Sequence, residues 1–144
     1  MKRVLSFITT LAVLAPVTSH SEEMNVANVA AGKSEFVVAC ASCHGESGKG
    51  NGDLAKILEI ETPDLTTITK RTGGGEFPFR NTLLLIDGRK NIRAHGGEMP
   101  VWGDRYVAAA RALQESYDVS NEAAEMVALG RMTALVYYLE SIQE

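Results

Sequence analysis

The sequence contains few cysteines and no apolar run of membrane-spanning length. Only 2 cysteines occur in 144 residues, so the chain lacks the disulfide framework that holds many small extracellular scaffolds together. The longest apolar run, Val4 to Val17, is shorter than the roughly 20 residues that a helix needs to cross a bilayer. Repeats and low-complexity tracts are also missing. The chain length is enough for one domain with a modest core.

The first residues have the composition of a secretory leader. Lys2 and Arg3 form a basic start, the apolar run follows, and small residues after it supply a cleavage site. We therefore predict a signal peptide over residues 1–19, cleaved near residues 19–21, ahead of one domain over residues 20–144. An uncleaved N-terminal anchor is the alternative. Cleavage would leave the domain without a stable membrane insertion.

Basic residues are fewer than acidic residues, 14 against 18. The formal net charge is −4, and removal of Lys2 and Arg3 with the leader takes it to −6. Proteins that bind nucleic acid or anionic membrane surfaces generally carry a basic surplus on the binding face. The composition therefore argues against both kinds of partner.

Helical patterns dominate the domain, and no alternating strand pattern is convincing, so we expect an all-α fold. Val29, Phe36, Cys40 and Cys43 recur at helical spacing and share one face of the first helix. Thr62 is the predicted cap of a later helix, with proline at its first position. The predicted helices run from about Val29 to His44, Leu54 to Glu59, Thr62 to the glycines at 73–75, Pro78 to Gly88, Asp104 to Gln114 and Glu122 to Ile142. In the last helix the predicted stripe is Val127, Gly130, Ala134, Tyr138 and Ile142.

The two cysteines lie three positions apart and are followed at once by a histidine. Cys40-Ala41-Ser42-Cys43-His44 is the C-x-x-C-H pattern of covalent haem attachment. Thiols at i and i+3 of a helix project from the same side and can reach the two vinyl groups at one porphyrin edge. The next residue can then place its imidazole under the ring and bind iron. A redox dithiol or a disulfide is the alternative, although dithiols with this spacing usually occur in a βαβ context.

Met99 is the candidate for the sixth iron ligand. It lies in Gly96-Gly97-Glu98-Met99-Pro100, within a glycine-containing irregular arm predicted over Asn91 to Gly103. A thioether on such an arm can approach the haem from the face opposite His44, whereas most methionines, Met126 and Met132 among them, serve as core filler. His95 competes for the same position. The role of Trp102, which follows the arm, stays open between packing and a hydrogen bond to a haem propionate.

These motifs resemble those of the class I cytochromes c, specifically the small monohaem carriers of the bacterial periplasm. The resemblance rests on Gly32-x-x-x-Phe36, on the C-x-x-C-H motif, on Met99-Pro100-Val101-Trp102-Gly103 and on the closing Leu135-Val136-Tyr137-Tyr138-Leu139. Pro63-Asp64-Leu65-Thr66 and Ile86-Asp87-Gly88-Arg89 resemble a recurrent bacterial subgroup. The resemblance implies crossed N- and C-terminal helices, with several short helices and loops around one haem. The implied site is one haem c attached through Cys40 and Cys43 and ligated axially by His44 and Met99.

The sequence departs from this family after the haem motif. Many relatives have Gly-x-Gly-Pro-Leu there, and the proline carbonyl accepts the second N–H of the proximal histidine. The present chain has Gly50-Asn51-Gly52-Asp53-Leu54, with aspartate at the proline position. What orients the His44 ring is therefore not evident from the sequence.

The resemblance implies an electron carrier and no enzymatic activity. We expect a periplasmic monomer that shuttles single electrons between redox proteins by Fe(III)/Fe(II) cycling. The alternatives are an electron-transfer subunit of a larger periplasmic oxidoreductase, and a haem enzyme or gas sensor with an open iron site. Residues 49–93 carry eight basic and six acidic side chains and flank the motif. They are predicted to supply a positive docking rim of Lys49, Lys56, Lys70, Arg71, Arg80, Arg89, Lys90 and Arg93.

Overall fold

The structure, a computed structural model, describes residues 20–90, 99–112 and 120–144. Within these ranges the chain forms six α-helices and two short 3₁₀ helices, and no β-strand. The all-α prediction is confirmed. The α-helices are α1 (His20–Ala39), α2 (Ala41–His44), α3 (Ile68–Arg71), α4 (Phe79–Asp87), α5 (Trp102–Ala112) and α6 (Asn121–Ser141), and the 3₁₀ helices span Asp53–Ile57 and Leu65–Thr67.

The crossing of α1 and α6 organises the molecule. Gly32 on α1 lies against the backbone of α6, where a Cβ atom would overlap the carbonyl oxygen of Ala134. One turn further along, the rings of Phe36 and Tyr138 pack with their centroids 5.2 Å apart. The small residue therefore lets the two helices approach closely enough for their aromatic side chains to interlock.

The core lies between α6 and the helices that pack on it, α1, α4 and α5. Phe36, Met132, Leu135 and Val136 are its largest fully buried side chains. Each such side chain contributes about 1.5–3 kcal/mol through the apolar surface that it removes from water. Three of the four come from α6, so this helix is the main support of the fold.

The boundaries of the first helix differ from the prediction. α1 begins at His20 rather than Val29, and Cys40 separates it from α2. At Cys40 the backbone has φ −118° and ψ −34°, which bends the chain without ending its hydrogen bonding. The predicted shared face is confirmed for three of its four residues: Phe36 is fully buried, and Val29 and Cys40 pack against the same core, whereas Cys43 lines the cleft.

The helix predicted to begin at Thr62 is shorter and has a different cap. Asp64, not Thr62, caps the 3₁₀ helix Leu65–Thr67, and its carboxylate accepts a 2.8 Å hydrogen bond from the backbone N–H of Thr66. Glycines with positive φ at 73–75 follow α3, as the sequence predicts. Pro78 precedes α4, which ends at Gly88 in the left-handed conformation (φ 69°).

The stripe predicted for the last helix is partly wrong. Ala134 and Tyr138 are buried, but Val127 and Gly130 are exposed. The side chains of Ala124, Ala128 and Leu135 occupy the core instead. Met132 is core filler as predicted, whereas Met126 is 74% exposed.

None of the helices in the described ranges is long and apolar enough to cross a membrane.

Candidate functional site

The Cys40–His44 motif lies at the junction of α1 and α2 and keeps helical hydrogen bonding. The N–H of Cys40 donates to the carbonyl of Phe36 (2.8 Å), and the N–H of His44 donates to the carbonyl of Cys40 (2.9 Å). No disulfide joins the two cysteines. Burial raises the pKa of Cys40 to about 12, with smaller contributions from the charges of Glu35 and Cys43. An uncharged sulfur is compatible with an apolar cavity wall.

The ring of His44 is held by a backbone carbonyl. Its Nδ1 lies 3.2 Å from the carbonyl oxygen of Pro63, and the side chain is only 7% exposed. Since the carbonyl can only accept, Nδ1 carries the proton of the neutral ring, and the lone pair that a metal needs is on Nε2. In the related sequences the proline that supplies this carbonyl stands at the position of Asp53. In this chain the carbonyl comes instead from Pro63, ten positions later.

Glycines between the motif and Pro63 bring three pieces of backbone into contact. A Cβ on Gly52 would overlap the carbonyl oxygen of Ser42, and one on Gly50 would overlap that of Thr62. The N–H of Gly52 donates to the carbonyl of Cys43 (3.0 Å), and that of Gly50 to the carbonyl of His44 (2.8 Å). These glycines therefore allow neighbouring backbone to pack closely against the motif, in addition to allowing a turn.

The Pro63 segment is itself fixed by the end of the chain. The side-chain amide of Gln143 donates to the carbonyl of Leu65 (2.8 Å), and its oxygen accepts from the N–H of Thr69 (3.0 Å). The position of the His44 partner thus depends on contacts across more than 70 residues of sequence.

The four predicted site residues line one cleft. Cys40, Cys43, His44 and Met99 surround a cavity whose wall also includes Trp102. A second cavity adjoins it and shares Cys40, His44, Pro63 and Met99. The two therefore form a single cleft between the motif and the Met99 segment. His95 falls outside the described residues.

Both ends of the segment that carries Met99 are anchored to the helices. Arg89 donates to the carboxylate of Asp87 from Nε (2.6 Å) and Nη2 (3.1 Å), and to Glu125 of α6 from Nη1 (2.8 Å). At the other end, a Cβ on Gly103 would overlap Oδ1 of Asp87. The glycine of the Met99–Gly103 motif is therefore the position that admits the Asp87–Arg89 pair.

The second cavity is mainly apolar. Its wall includes Leu65, Ile68, Ile86, Leu135 and Leu139, beside the polar residues Arg71, Thr72 and Thr82. Thr62, in the wall of the first cavity, contributes a buried hydroxyl that has no hydrogen-bond partner in the part of the chain that the structure describes. A flat apolar molecule with a few polar groups would fit such a wall, since buried polar atoms are rarely left without a partner.

Comparison with known families agrees with this geometry. The family model described as Cytochrome c matches residues 29–143, which is most of the chain. The chain belongs to the cytochrome c family. Searches of curated proteins and of solved structures gave no match. The family assignment identifies the protein as an all-α cytochrome c with covalently bound haem c and a function in electron transfer.

The residues of the cleft fit this cofactor. Two thiols, an oriented imidazole and a thioether are the donor set of a His/Met c-type haem, and the apolar wall suits a porphyrin. The assignment of Cys40, Cys43, His44 and Met99 to these roles stays a prediction, which this arrangement favours.

Three of the eight residues of the predicted positive docking rim form ion pairs in this cytochrome. Lys49 pairs with Glu144 (2.6 Å), Lys56 with Asp53 (3.0 Å), and Arg89 with Asp87 and Glu125. Arg71 donates hydrogen bonds to the carbonyl of Asp64 and the hydroxyl of Thr67. Arg93 is not among the described residues.

Proposed function

We propose that this cytochrome is a monohaem electron carrier with both axial iron positions filled by its own side chains. The observation that carries the proposal is that His44 and Met99 line the same cleft. With imidazole on one face and thioether on the other, the iron would offer no open position to a substrate. Such a site supports electron exchange and disfavours bond-forming chemistry.

Haem c supplies the one-electron exchange between Fe(III) and Fe(II), and the chain binds and orients it. Cys40 and Cys43 form the thioether attachments, and Pro63 fixes the His44 ring through Nδ1. Leu135 and Leu139 exclude water from the second cavity. The single C-x-x-C-H motif in the sequence corresponds to one haem.

In this proposal the protein is located in the periplasm. The support is the leader over residues 1–19, whose basic, apolar and small-residue blocks match an export signal. The mature protein would then be a monomer that exchanges electrons with periplasmic redox proteins.

An apolar lip beside the cleft is the proposed contact for these partners. Leu54, Ile57 and Ile60 are 46%, 77% and 45% exposed, and Ile60 also lines the cleft. The N–H of Gly52 bonds to the carbonyl of Cys43, so this segment adjoins the attachment motif. A small apolar contact suits a partner that must dissociate after each electron.

The decisive experiment is Met99→Ala, with His95→Ala as the matched variant on the same arm. Both are purified as holoprotein, and haem retention after acid–acetone extraction checks attachment through Cys40 and Cys43. The ferric wild type should show a weak near-infrared sulfur-to-iron band, and its ferrous form should bind carbon monoxide slowly. Met99→Ala should lose the band and bind carbon monoxide at once, while His95→Ala should retain wild-type behaviour.

Two results would overturn the proposal. If His95→Ala, and not Met99→Ala, opened the iron, the axial pair would be two histidines, with a lower reduction potential. If wild-type ferrous protein bound carbon monoxide at once, the sixth position would be vacant and a haem enzyme or gas sensor would be the better assignment.

A second candidate function is an electron-transfer subunit of a larger oxidoreductase. The observation in its favour is a pair of exposed valines on α1, Val26 (66%) and Val37 (52%), which lie eleven residues apart and so share one side of the helix. Val38 (84%) lies nearby. Sedimentation of the holoprotein isolated from its native source separates the two cases: a free carrier sediments as a monomer, and a subunit with its enzyme.

A further inference from the structure

One ion pair joins the two crossing helices behind the attachment motif. Arg131 of α6 donates from Nε and Nη2 to the two carboxylate oxygens of Glu35 on α1, each at 2.8 Å. The side chains are 37% and 19% exposed, respectively. This two-point geometry fixes both groups more firmly than a single contact between a lysine and a carboxylate would.

The pair continues through aromatic rings to the wall of the haem cleft. The Arg131 guanidinium lies 4.4 Å from the centre of the Tyr106 ring, which is 5.8 Å from the ring of Trp102. Trp102 lines the cleft together with Met99. Tyr106 is 4% exposed, and its pKa is raised mainly by burial and then by the Glu35 charge. Glu35, Arg131 and Tyr106 thus form one connected cluster.

The same cluster is electrostatically close to the attachment sulfur. Glu35 is the residue before Phe36 on α1, and the carbonyl of Phe36 accepts a 2.8 Å hydrogen bond from the N–H of Cys40. Charges in a partly buried position are screened less by water and salt than surface charges. A change in the net charge of this pair therefore changes the electrostatic potential at the attachment residue Cys40.

We propose that Glu35 and Arg131 act on the reduction potential of the haem as opposite charges, each of which offsets the shift that the other would cause. The inference rests on the proposed function and deepens it. A positive charge beside the haem favours the ferrous form and raises the potential, and a negative charge has the opposite effect. While the pair is intact, the two contributions largely cancel.

The test is the reduction potential of holoprotein variants, measured by redox titration of the visible spectrum. Glu35→Gln leaves Arg131 uncompensated and should raise the potential, whereas Arg131→Met leaves Glu35 uncompensated and should lower it. The double variant should return close to the wild-type value. Arg131→Lys keeps the charge and should also stay close to wild type. Asp53→Asn removes a 97% exposed carboxylate and should leave the potential unchanged.

A purely structural role gives a different pattern. If Glu35→Gln and Arg131→Met lowered the melting temperature but moved the potential in the same direction, or not at all, the proposal would be wrong. Arg131→Lys and the double variant keep the test available should a single variant fail to fold. Retention of the near-infrared band in each variant shows that axial ligation is intact, so this result is independent of the Met99 experiment.

Discussion

Asp87 links the end of α4 to the segment that carries Met99. Hydrogen bonds from Arg89 and the positive charge of its guanidinium hold the pKa of Asp87 below its ordinary value of 3.8. The same contact raises the pKa of Arg89, which also reaches Glu125 on α6. The ionised carboxylate is therefore favoured in the folded protein, and its protonation destabilises the fold.

This arrangement predicts a pH-dependent stability effect for Asp87→Asn. Because the folded pKa is lowered, the stabilisation is fully present above the unfolded pKa and is lost as pH falls through the folded one. The variant should melt below the wild type at neutral pH, and the difference should shrink as the pH drops below about 4. Circular dichroism melts of the ferric holoprotein from neutral to acidic pH measure it. A difference in melting temperature that stayed constant over the whole pH range would contradict the assignment. The control is Asp53→Asn at an exposed position, which should change the melting temperature little.

Residues whose role depends on local spacing could be predicted, and those whose role depends on distant contacts could not. Cys40, Cys43 and His44 are recognisable because a helix fixes the geometry of five consecutive positions. Pro63 holds a ring 19 residues away, and Glu35 binds Arg131 across 96 residues. No local pattern reports such a pairing. The glycines at 50 and 52 were visible, but their close backbone contacts appear only in three dimensions.

At the scale of elements, the α1–α6 crossing depends on one missing side chain. Gly32 is buried and faces the α6 backbone, while Gly130 on α6 is exposed, and a Cβ added there would meet no atom of the described residues within 4 Å. Both glycines lie inside helices, so both carry the intrinsic helix cost of glycine. They differ only in what a methyl group would meet.

The two glycines should respond to alanine with opposite signs. Gly32→Ala should lower the free energy of unfolding by about 3 kcal/mol, since overpacking of this kind typically costs roughly 1–3 kcal/mol or more. Gly130→Ala should raise it by about 0.5–1 kcal/mol, the usual gain at an exposed helical site. Urea unfolding of the holoproteins, followed by far-ultraviolet circular dichroism, compares them. If both variants changed the free energy of unfolding by the same amount, contact at the helix crossing would not be the cause of the Gly32→Ala effect.

The existence of the helices was more predictable than their faces. Proline and glycine mark the ends of α4 because they act on the backbone locally. The stripe of α6 was partly misplaced because this helix packs against α1, α4 and α5 at once, so apolar residues surround much of it. Val127 is exposed and Ala128 is buried because of their positions relative to these helices, since both side chains are apolar.

At the scale of the whole molecule, two lysines of the predicted rim are paired, and the lip of the cleft is apolar. Lys49 and Lys56 engage carboxylates, and Leu54, Ile57 and Ile60 lie exposed beside the site. Electrostatic steering weakens as the screening length falls from about 30 Å at 0.01 M to about 8 Å at 0.15 M salt. A positive rim and an apolar lip therefore predict different salt dependences.

Oxidation of the ferrous holoprotein by the hexacyanoferrate(III) anion distinguishes these two surfaces. With an apolar lip and neutralised lysines, the second-order rate constant should not fall as salt rises. A positive rim would give a steep decrease. Ile57→Lys adds a positive charge to the lip and should introduce such a decrease, which stopped-flow absorbance can measure. A wild-type rate that fell steeply would restore the positive rim as the docking surface.

The pairing of the first described helix with the last has a consequence for the timing of assembly. Tyr138 cannot cover Phe36 until about 90 further residues have followed the motif into the compartment where the chain folds. Until then the two thiols and the imidazole belong to a chain whose helix crossing has not formed, so they are accessible to the machinery that delivers the cofactor. Closure of the helix crossing after attachment would then enclose a bond already made, and the finished protein need never open to receive its haem.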